Sequence, residues 1–298
     1  MIKNVRDFPA IERLLQDSKL AETYSLVPRL VAADIVRSVL DKAREQLKAN
    51  LLPISMDTLY DDIDREIRMV VRTRVVRVIN ATGIVVHTNL GRAPLDQSVI
   101  DTLCDRACGY DNLEFDLTTG KRGTRGAACE QLLARLAGAS AACIVNNCAA
   151  ALLVTLNSLA NRKPVIISRG ELVQIGGGFR IPDILRKSGG RLVEIGTTNI
   201  TTVEDYESAI NGNTGAILKV HRSNFAQSGF TGEVSAKELV PLGRAHGVPV
   251  INDLGSGALV DLKDLLGYKE PTVQQSVRWG ADITCFSGDK LVGGPQAG

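Results

Sequence analysis

A chain of 298 residues that is 44% hydrophobic can bury one large core or two ordinary ones. Its 35 Lys and Arg against 33 Asp and Glu leave a formal charge of +2, too little for bulk charge to announce a nucleic-acid partner; any such contact must rest on a local patch. No run of about 20 apolar residues occurs, and Lys3, Arg6 and Asp7 put charges where a signal peptide needs its apolar region, so neither a membrane span nor secretion is expected. Cys104, Cys108, Cys129, Cys143, Cys148 and Cys285 form no CxxC pair and have no histidine at metal-ligand spacing, which predicts reduced thiols of a cytosolic protein and no metal site. Cys104 and Cys108, four apart, read as two small core residues of a helix.

The segment from Met1 to Arg77 is rich in Leu, Arg and Asp, poor in glycine, and broken by Pro9, Pro28 and Pro53, which predicts a small domain of short helices. Leu30, Ile35, Val36, Val39, Leu40 and Leu47 fall at helical spacing, with Asp34, Arg37, Asp41 and Lys42 on the other face. Between Ile63 and Val78 the arginines Arg65, Arg68, Arg72, Arg74 and Arg77 accumulate. Such a run can contact phosphates, and a solvated helix face flanked by Asp61, Asp62, Asp64 and Glu66 accounts for it as well.

From Val78 the texture becomes βαβ. Short β-rich runs are expected at Cys143 to Val145, Pro164 to Ile167, Arg191 to Ile195, Gly215 to Val220, Val248 to Ile251 and Ala281 to Phe286. Helical stretches fall at Ala149 to Ala160, Val203 to Asn211 and Ser235 to His246. That alternation predicts an α/β domain over residues 78–298, a mostly parallel sheet with helices on both faces.

Within it, Lys290 follows the strand ending at Phe286 and precedes Gly293 and Gly294, so an amine is held at a strand end with little backbone bulk around it. Upstream, Asp253 ends another apolar run. Open α/β sheets bind ligands at the carboxyl ends of their strands, and a desolvated lysine there can act as a nucleophile. A carboxylate and an amine at two such ends suit pyridoxal phosphate, whose ring nitrogen needs a fixed anion and whose aldehyde needs an amine. Asn146 and Asn147 open the following helix, where free N–H groups suit the cofactor phosphate, although Asn147 also reads as a plain N-cap. Ser287 is a further phosphate donor candidate, Asp289 reads alone as a turn aspartate, and Arg92, behind Gly91, is placed to bind an oxyanion bidentately.

Asp253-Leu254-Gly255-Ser256-Gly257, Ser287-Gly288-Asp289-Lys290 and Gly293-Gly294-Pro295-Gln296-Ala297-Gly298 together resemble bacterial selenocysteine synthase, the L-seryl-tRNA(Sec) selenium transferase family. His87-Thr88-Asn89-Leu90-Gly91-Arg92, Val145-Asn146-Asn147, Ser168-Arg169-Gly170-Glu171-Leu172-Val173 and Gly196-Thr197-Thr198-Asn199 agree, and the similarity runs from about Val78 to Gly298. The resemblance implies the large domain of a fold-type-I pyridoxal-phosphate transferase, preceded by a helical domain, residues 1–77, that contacts tRNA. It implies conversion of seryl-tRNA(Sec) to selenocysteinyl-tRNA(Sec) with selenophosphate, through an aminoacrylate, in a cytoplasmic homo-oligomer built as a ring of dimers.

On the cofactor's chemistry Lys290 takes the cofactor linkage and the general-base role and Asp253 the ring nitrogen, while the resemblance gives Asp289 assistance at the serine hydroxyl. Arg92 would hold selenophosphate, Arg125 in the basic loop Gly120 to Gly126 would contact substrate, unless that loop meets the partner subunit instead, and Asn224 would face the cofactor. Thr197, Thr198 and Asp205 fall to contacts between dimers. Three positions depart from the family pattern: Cys148 stands for asparagine, Ile200 for arginine and Arg222 for threonine. Family members continue past Gly298 with a strand, further arginines and a small domain, so a sheet lacking a strand and an incomplete anion site are expected of this sequence. Two alternatives stay open: an inactive or RNA-binding-only remnant, and a related pyridoxal-phosphate lyase or transferase acting on a small amino acid.

Overall fold

The computed structural model describes residues 1–50, 53–72, 75–175, 178–267 and 269–298. The chain divides into two units, Met1–Ile79 and Asn80–Gly298. The first contains α1 (Ile11–Leu15), α2 (Ala21–Ser25), α3 (Arg29–Asn50) and α4 (Met56–Val71). Short helices were expected, yet α3 and α4 run 22 and 16 residues. The prolines explain the difference, because Pro28 precedes α3 and Pro53 lies between the two helices, so neither interrupts a hydrogen-bond ladder. Ser55 caps α4 by accepting the Thr58 N–H at 2.9 Å.

Leu59, Ile63 and Ile67, spaced four apart on α4, are fully buried against Val36, Val39, Leu40, Ala43 and Leu47 of α3. Each such side chain contributes roughly 1.5–3 kcal/mol of transfer free energy. Leu30 does not join them: it is 86% exposed. Six residues before Val36, it sits about 120° off the buried stripe. On α4, Arg65 pairs with Asp62 and Arg68 with Asp64 at 2.7 Å, the acid-flanked solvated face. Arg72 and Arg77 are exposed, and Arg74 lies outside the described residues.

The second unit begins with α5 (Gln97–Ala107), the hairpin β1 (Phe115–Asp116) and β2 (Lys121–Arg122), α6 (Ala127–Ala137) and α7 (Cys148–Ala160). Lys121 and Arg122, expected in a loop, are the second strand of that hairpin. The run Cys143 to Val145, expected as a strand, forms no ladder: its backbone exchange is confined to Val145 and Gly298, at 2.8 and 2.9 Å, and one pair does not define a strand. Cys104 and Cys108, expected in a core, are exposed, because α5 buries none of its residues within the described chain.

Next come β3 (Pro164–Ser168), the hairpin β4 (Gln174–Ile175) and β5 (Phe179–Arg180), α8 (Ile181–Ser188), β6 (Arg191–Ile195), α9 (Val203–Ala209) and β7 (Ala216–Val220). The chain closes with α10 (Ala236–His246), β8 (Val250–Gly255), α11 (Lys263–Leu266), α12 (Val273–Trp279) and β9 (Ile283–Phe286). Strands β6-β3-β7-β8-β9 form one parallel sheet in that order. Chain order reverses at β3, whose neighbours are β6 on one side and β7 on the other, the kind of switch at which such sheets open a crevice.

Both faces are covered, which is why these strands read as continuous apolar runs. Val165, Ile167, Leu218, Val220 and Ile251 meet Leu152 and Leu156 of α7 and Leu185 of α8. Ile166, Ile217 and Val250 meet Tyr206, Leu239 and Val240 from α9 and α10 on the other face. Side-chain alternation continues to the strand ends: Asp253 shares a row with its register partners Val220 and Cys285, on the face that α7 covers. Among the described residues no helix is long and apolar enough to cross a membrane.

Candidate active site

Asp253 is buried near the end of β8, only 6% exposed. The first residue of α7 meets it: the Cys148 thiol donates to Asp253 Oδ1 at 3.6 Å, the one side-chain hydrogen bond that this carboxylate accepts among the described residues. Burial pushes Asp253 up to about 6, against the pull of the Cys148 hydrogen bond and the Lys290 and His221 charges. Burial first, and then the Asp253 charge, push the Cys148 thiol up as well, so it stays protonated and remains a donor. Cys148, which stands where the family pattern has asparagine, thus contacts an acid 105 residues away.

Lys290, partly buried, comes from the turn after β9. That turn is tied to the loop after β8: Ser287 N–H donates to Gly255 O at 3.2 Å and Leu291 N–H to Ser256 O at 3.0 Å. Gly257, at φ +72°, lets the two segments touch, since a Cβ there would stand 2.7 Å from the Ser287 carbonyl oxygen. A Cβ on Gly255 would lie 3.8 Å from Lys290 Nζ and 3.9 Å from Ser223 Oγ, so amine and hydroxyl converge on bare backbone. The buried Ser256 hydroxyl has no hydrogen-bond partner among the described residues.

Asp289, buried beside Lys290, is gripped by Arg92, whose Nη1 donates to Oδ1 at 2.9 Å and Oδ2 at 2.8 Å. The backbone adds a second tie, with Ala93 N–H donating to Asp289 O at 3.1 Å. Arg92 reaches this position in the left-handed region, at φ +59°, a conformation that costs of order 1–3 kcal/mol in a non-glycine residue. Two residues predicted separately, as anion binder and acid, are therefore one ion pair.

The remaining candidates spread out. Asn147 caps α7, its Oδ1 accepting the Ala150 N–H at 2.8 Å, while Asn146 is exposed beside it. Ser287 is buried. Asn224 turns its amide to the Gln174 carbonyl at 3.2 Å, and Arg125 is exposed and paired with Glu114; neither bonds to the Asp253 and Lys290 cluster. Thr197 and Asp205 line a shallow cavity of about 540 Å³ at the end of β6, together with Arg169 and Ile200. Asp205 also completes a capping box with Thr202 at the start of α9.

Two side-chain groups escaped sequence reading. His221 Nε2 lies 3.1 Å from Glu270 Oε1, and the His221 backbone N–H donates to the Asp253 carbonyl oxygen at 2.9 Å. Burial alone would raise the Glu270 carboxyl, but the His221 hydrogen bond and nearby charges outweigh it and hold it below its usual value. Lys219 Nζ meets Glu171 Oε1 at 2.6 Å, with side chains 10% and 3% exposed, and the Val220 N–H donates to Glu171 Oε2 at 2.8 Å. Burial still raises the Glu171 carboxyl despite that lysine.

The donor set fits pyridoxal phosphate. A buried carboxylate whose one side-chain donor among the described residues is a weak thiol suits a cationic ring N–H, an amine stands in the turn after the adjacent strand, and the buried serines Ser256 and Ser287 lie in the same loops.

A family model described as SelA: L-seryl-tRNA selenium transferase matches residues 78–298. The L-seryl-tRNA(Sec) selenium transferase of Geotalea uraniireducens is 50% identical over 297 residues, that of Geotalea daltonii 49% over 299, and each match covers 99% of this chain and 64% of the relative. The chain thus spans about 64% of the length of these curated relatives. The Aquifex aeolicus protein of the same name is 46% identical over 290 residues, covering 97% of this chain and 64% of its own. Among solved structures, D-glucosaminate-6-phosphate ammonia-lyase aligns with a TM-score of 0.56 at 22% identity, over 70% of this chain and 54% of that one, a likeness of fold alone. The parallel sheet with helices on both faces is the large-domain fold of the fold-type-I pyridoxal-phosphate transferases. The chain belongs to the L-seryl-tRNA selenium transferase family.

Proposed function

We propose that this chain carries the catalytic core of a pyridoxal-phosphate-dependent L-seryl-tRNA(Sec) selenium transferase, which converts seryl-tRNA(Sec) to selenocysteinyl-tRNA(Sec) with selenophosphate as the selenium donor. The observation that carries the reading is the convergence of buried Asp253, near the end of β8, and partly buried Lys290, in the turn after the paired strand β9, in a chain of this family. Pyridoxal phosphate, when bound, supplies the electron sink that makes the seryl Cα–H acidic.

Lys290 is the amine that would hold the cofactor and, once released, the base that takes the Cα proton. Asp253 would keep a proton on the ring nitrogen, with Cys148 behind it. Ser287 and the start of α7 at Asn146 and Asn147 would hold the phosphate. Asp289, fixed by Arg92, would attend the seryl hydroxyl as it leaves. Only Nη1 of Arg92 is engaged among the described residues, so the same guanidinium retains donors for a selenophosphate oxygen. The helical unit would meet the tRNA, Arg125 the substrate, and the chain would work in the cytoplasm as a ring of dimers.

Mixing the purified chain with pyridoxal phosphate and reducing with borohydride tests the core of this reading. The expected product is a cofactor adduct on Lys290, found by peptide mass spectrometry; a chain that never takes up the cofactor would falsify the reading.

A further inference from the structure

Asp253 is the only acid in the row Val220, Asp253, Cys285, and its side chain meets α7 at the first turn. The charged and titratable groups that bear on it come from four elements: Cys148 of α7, Cys285 of β9, Lys290 of the turn after β9, and His221 of the loop after β7. Only Cys148 gives the carboxylate a side-chain hydrogen bond. Oδ2 has no side-chain donor among the described residues, and the backbone N–H of Gly255 is the other donor that bears on the carboxylate.

We propose that Cys148 is a positioning residue for Asp253: its thiol holds Oδ1, fixes the rotation of the carboxylate about its last bond, and keeps Oδ2 for the ring N–H of the cofactor. The proposal rests on the cofactor reading above. A carboxylate at the end of a side chain has a broad, two-fold torsional preference, so a side-chain donor fixed on one oxygen, beside the Gly255 backbone N–H, helps to select its plane. The α7 helix makes that donor rigid. Its body is packed into the core through Leu152 and Leu156, and Asn147 caps its first turn, so Cys148 cannot drift from the sheet without disturbing both. The thiol is also a neutral donor, which orders the carboxylate without adding a charge that would compete with the ring for it.

The test separates the contact from the cofactor. Selective 13C labelling of aspartate in the cofactor-free chain reads the Asp253 carboxyl titration directly, with Asp253→Asn assigning the signal. Cys148→Ala is expected to raise its midpoint by about half a pH unit, because the charged form loses a donor. The same variant is expected to bind pyridoxal phosphate about 3- to 10-fold more weakly, read from the absorbance of the bound cofactor. Cys148→Asn, which places an amide donor there, should restore both values. An unchanged midpoint in the alanine variant, or no recovery with asparagine, overturns the proposal while wild-type cofactor uptake stands. Wild-type chain that takes up no pyridoxal phosphate overturns the reading beneath it, whatever the titration gives.

Discussion

Arg92 and Asp289, 197 residues apart, are joined through one guanidinium nitrogen that contacts both carboxylate oxygens at 2.9 and 2.8 Å. Both side chains are largely withdrawn from water, 27% and 11% exposed, so removing the arginine leaves a carboxylate with its solvation gone and its partner missing. Arg92→Ala is expected to cost about 1–3 kcal/mol in urea denaturation. Arg92→Ala combined with Asp289→Asn should cost less than the sum of the two single changes. Strict additivity would mean that the pair is not coupled.

Lys290→Ala should abolish the borohydride-stable cofactor adduct while leaving the far-ultraviolet circular dichroism unchanged. The lysine is only partly buried and lies in a turn, so its removal takes little packing from the core. A persistent adduct on another lysine would remove Lys290 from its proposed role.

The buried Asp253 carboxyl makes the cofactor-free chain sensitive to pH in a particular direction. Its value rises from 3.8 to about 6 on folding because burial penalises the charged form. The folded chain therefore binds the proton more tightly than the unfolded chain, and stability falls as pH rises through this window. Above it the loss amounts to about 3 kcal/mol, at about 1.4 kcal/mol per unit. Urea unfolding from pH 4 to 8 should show this decline in the wild type and a flatter profile in Asp253→Asn. Equal slopes would count against a raised carboxyl.

Lys219→Met removes the counter-charge of Glu171 in a site where both groups are nearly dry. The expected loss is about 3 kcal/mol at pH 8. It should shrink at pH 5, since burial already raises the Glu171 carboxyl and a lone buried carboxylate takes up a proton more readily still. Thermal unfolding at the two pH values checks both the size and the direction.

The sheet was legible in the sequence because strands buried on both faces leave continuous apolar runs, as at Pro164 to Ile167 and Gly215 to Val220. Helix starts were legible where polar caps stand, as at Ser235 with Glu238. Asp253 and Lys290 were singled out because strand ends are where such folds keep their chemistry. What stayed hidden depends on contacts across the fold. Nothing near Cys148 announces Asp253, and nothing near His221 announces Glu270. Cys143 to Val145 has strand-like residues but pairs only at Val145, since propensity supplies a candidate and a neighbour makes the strand. Leu30 and Cys104 show the same limit on helices: spacing defines a face, and burial requires something to cover it.

The pairing of β8 with β9 places Asp253 opposite Cys285, five residues before Lys290. Acid and amine therefore belong to one hydrogen-bonded ribbon. Peeling the outer strand away by local opening separates both groups from a bound ring in the same event. A ligand that spans them would act as a fastener, slowing amide hydrogen exchange along β9 and the turn that follows well beyond the atoms it touches.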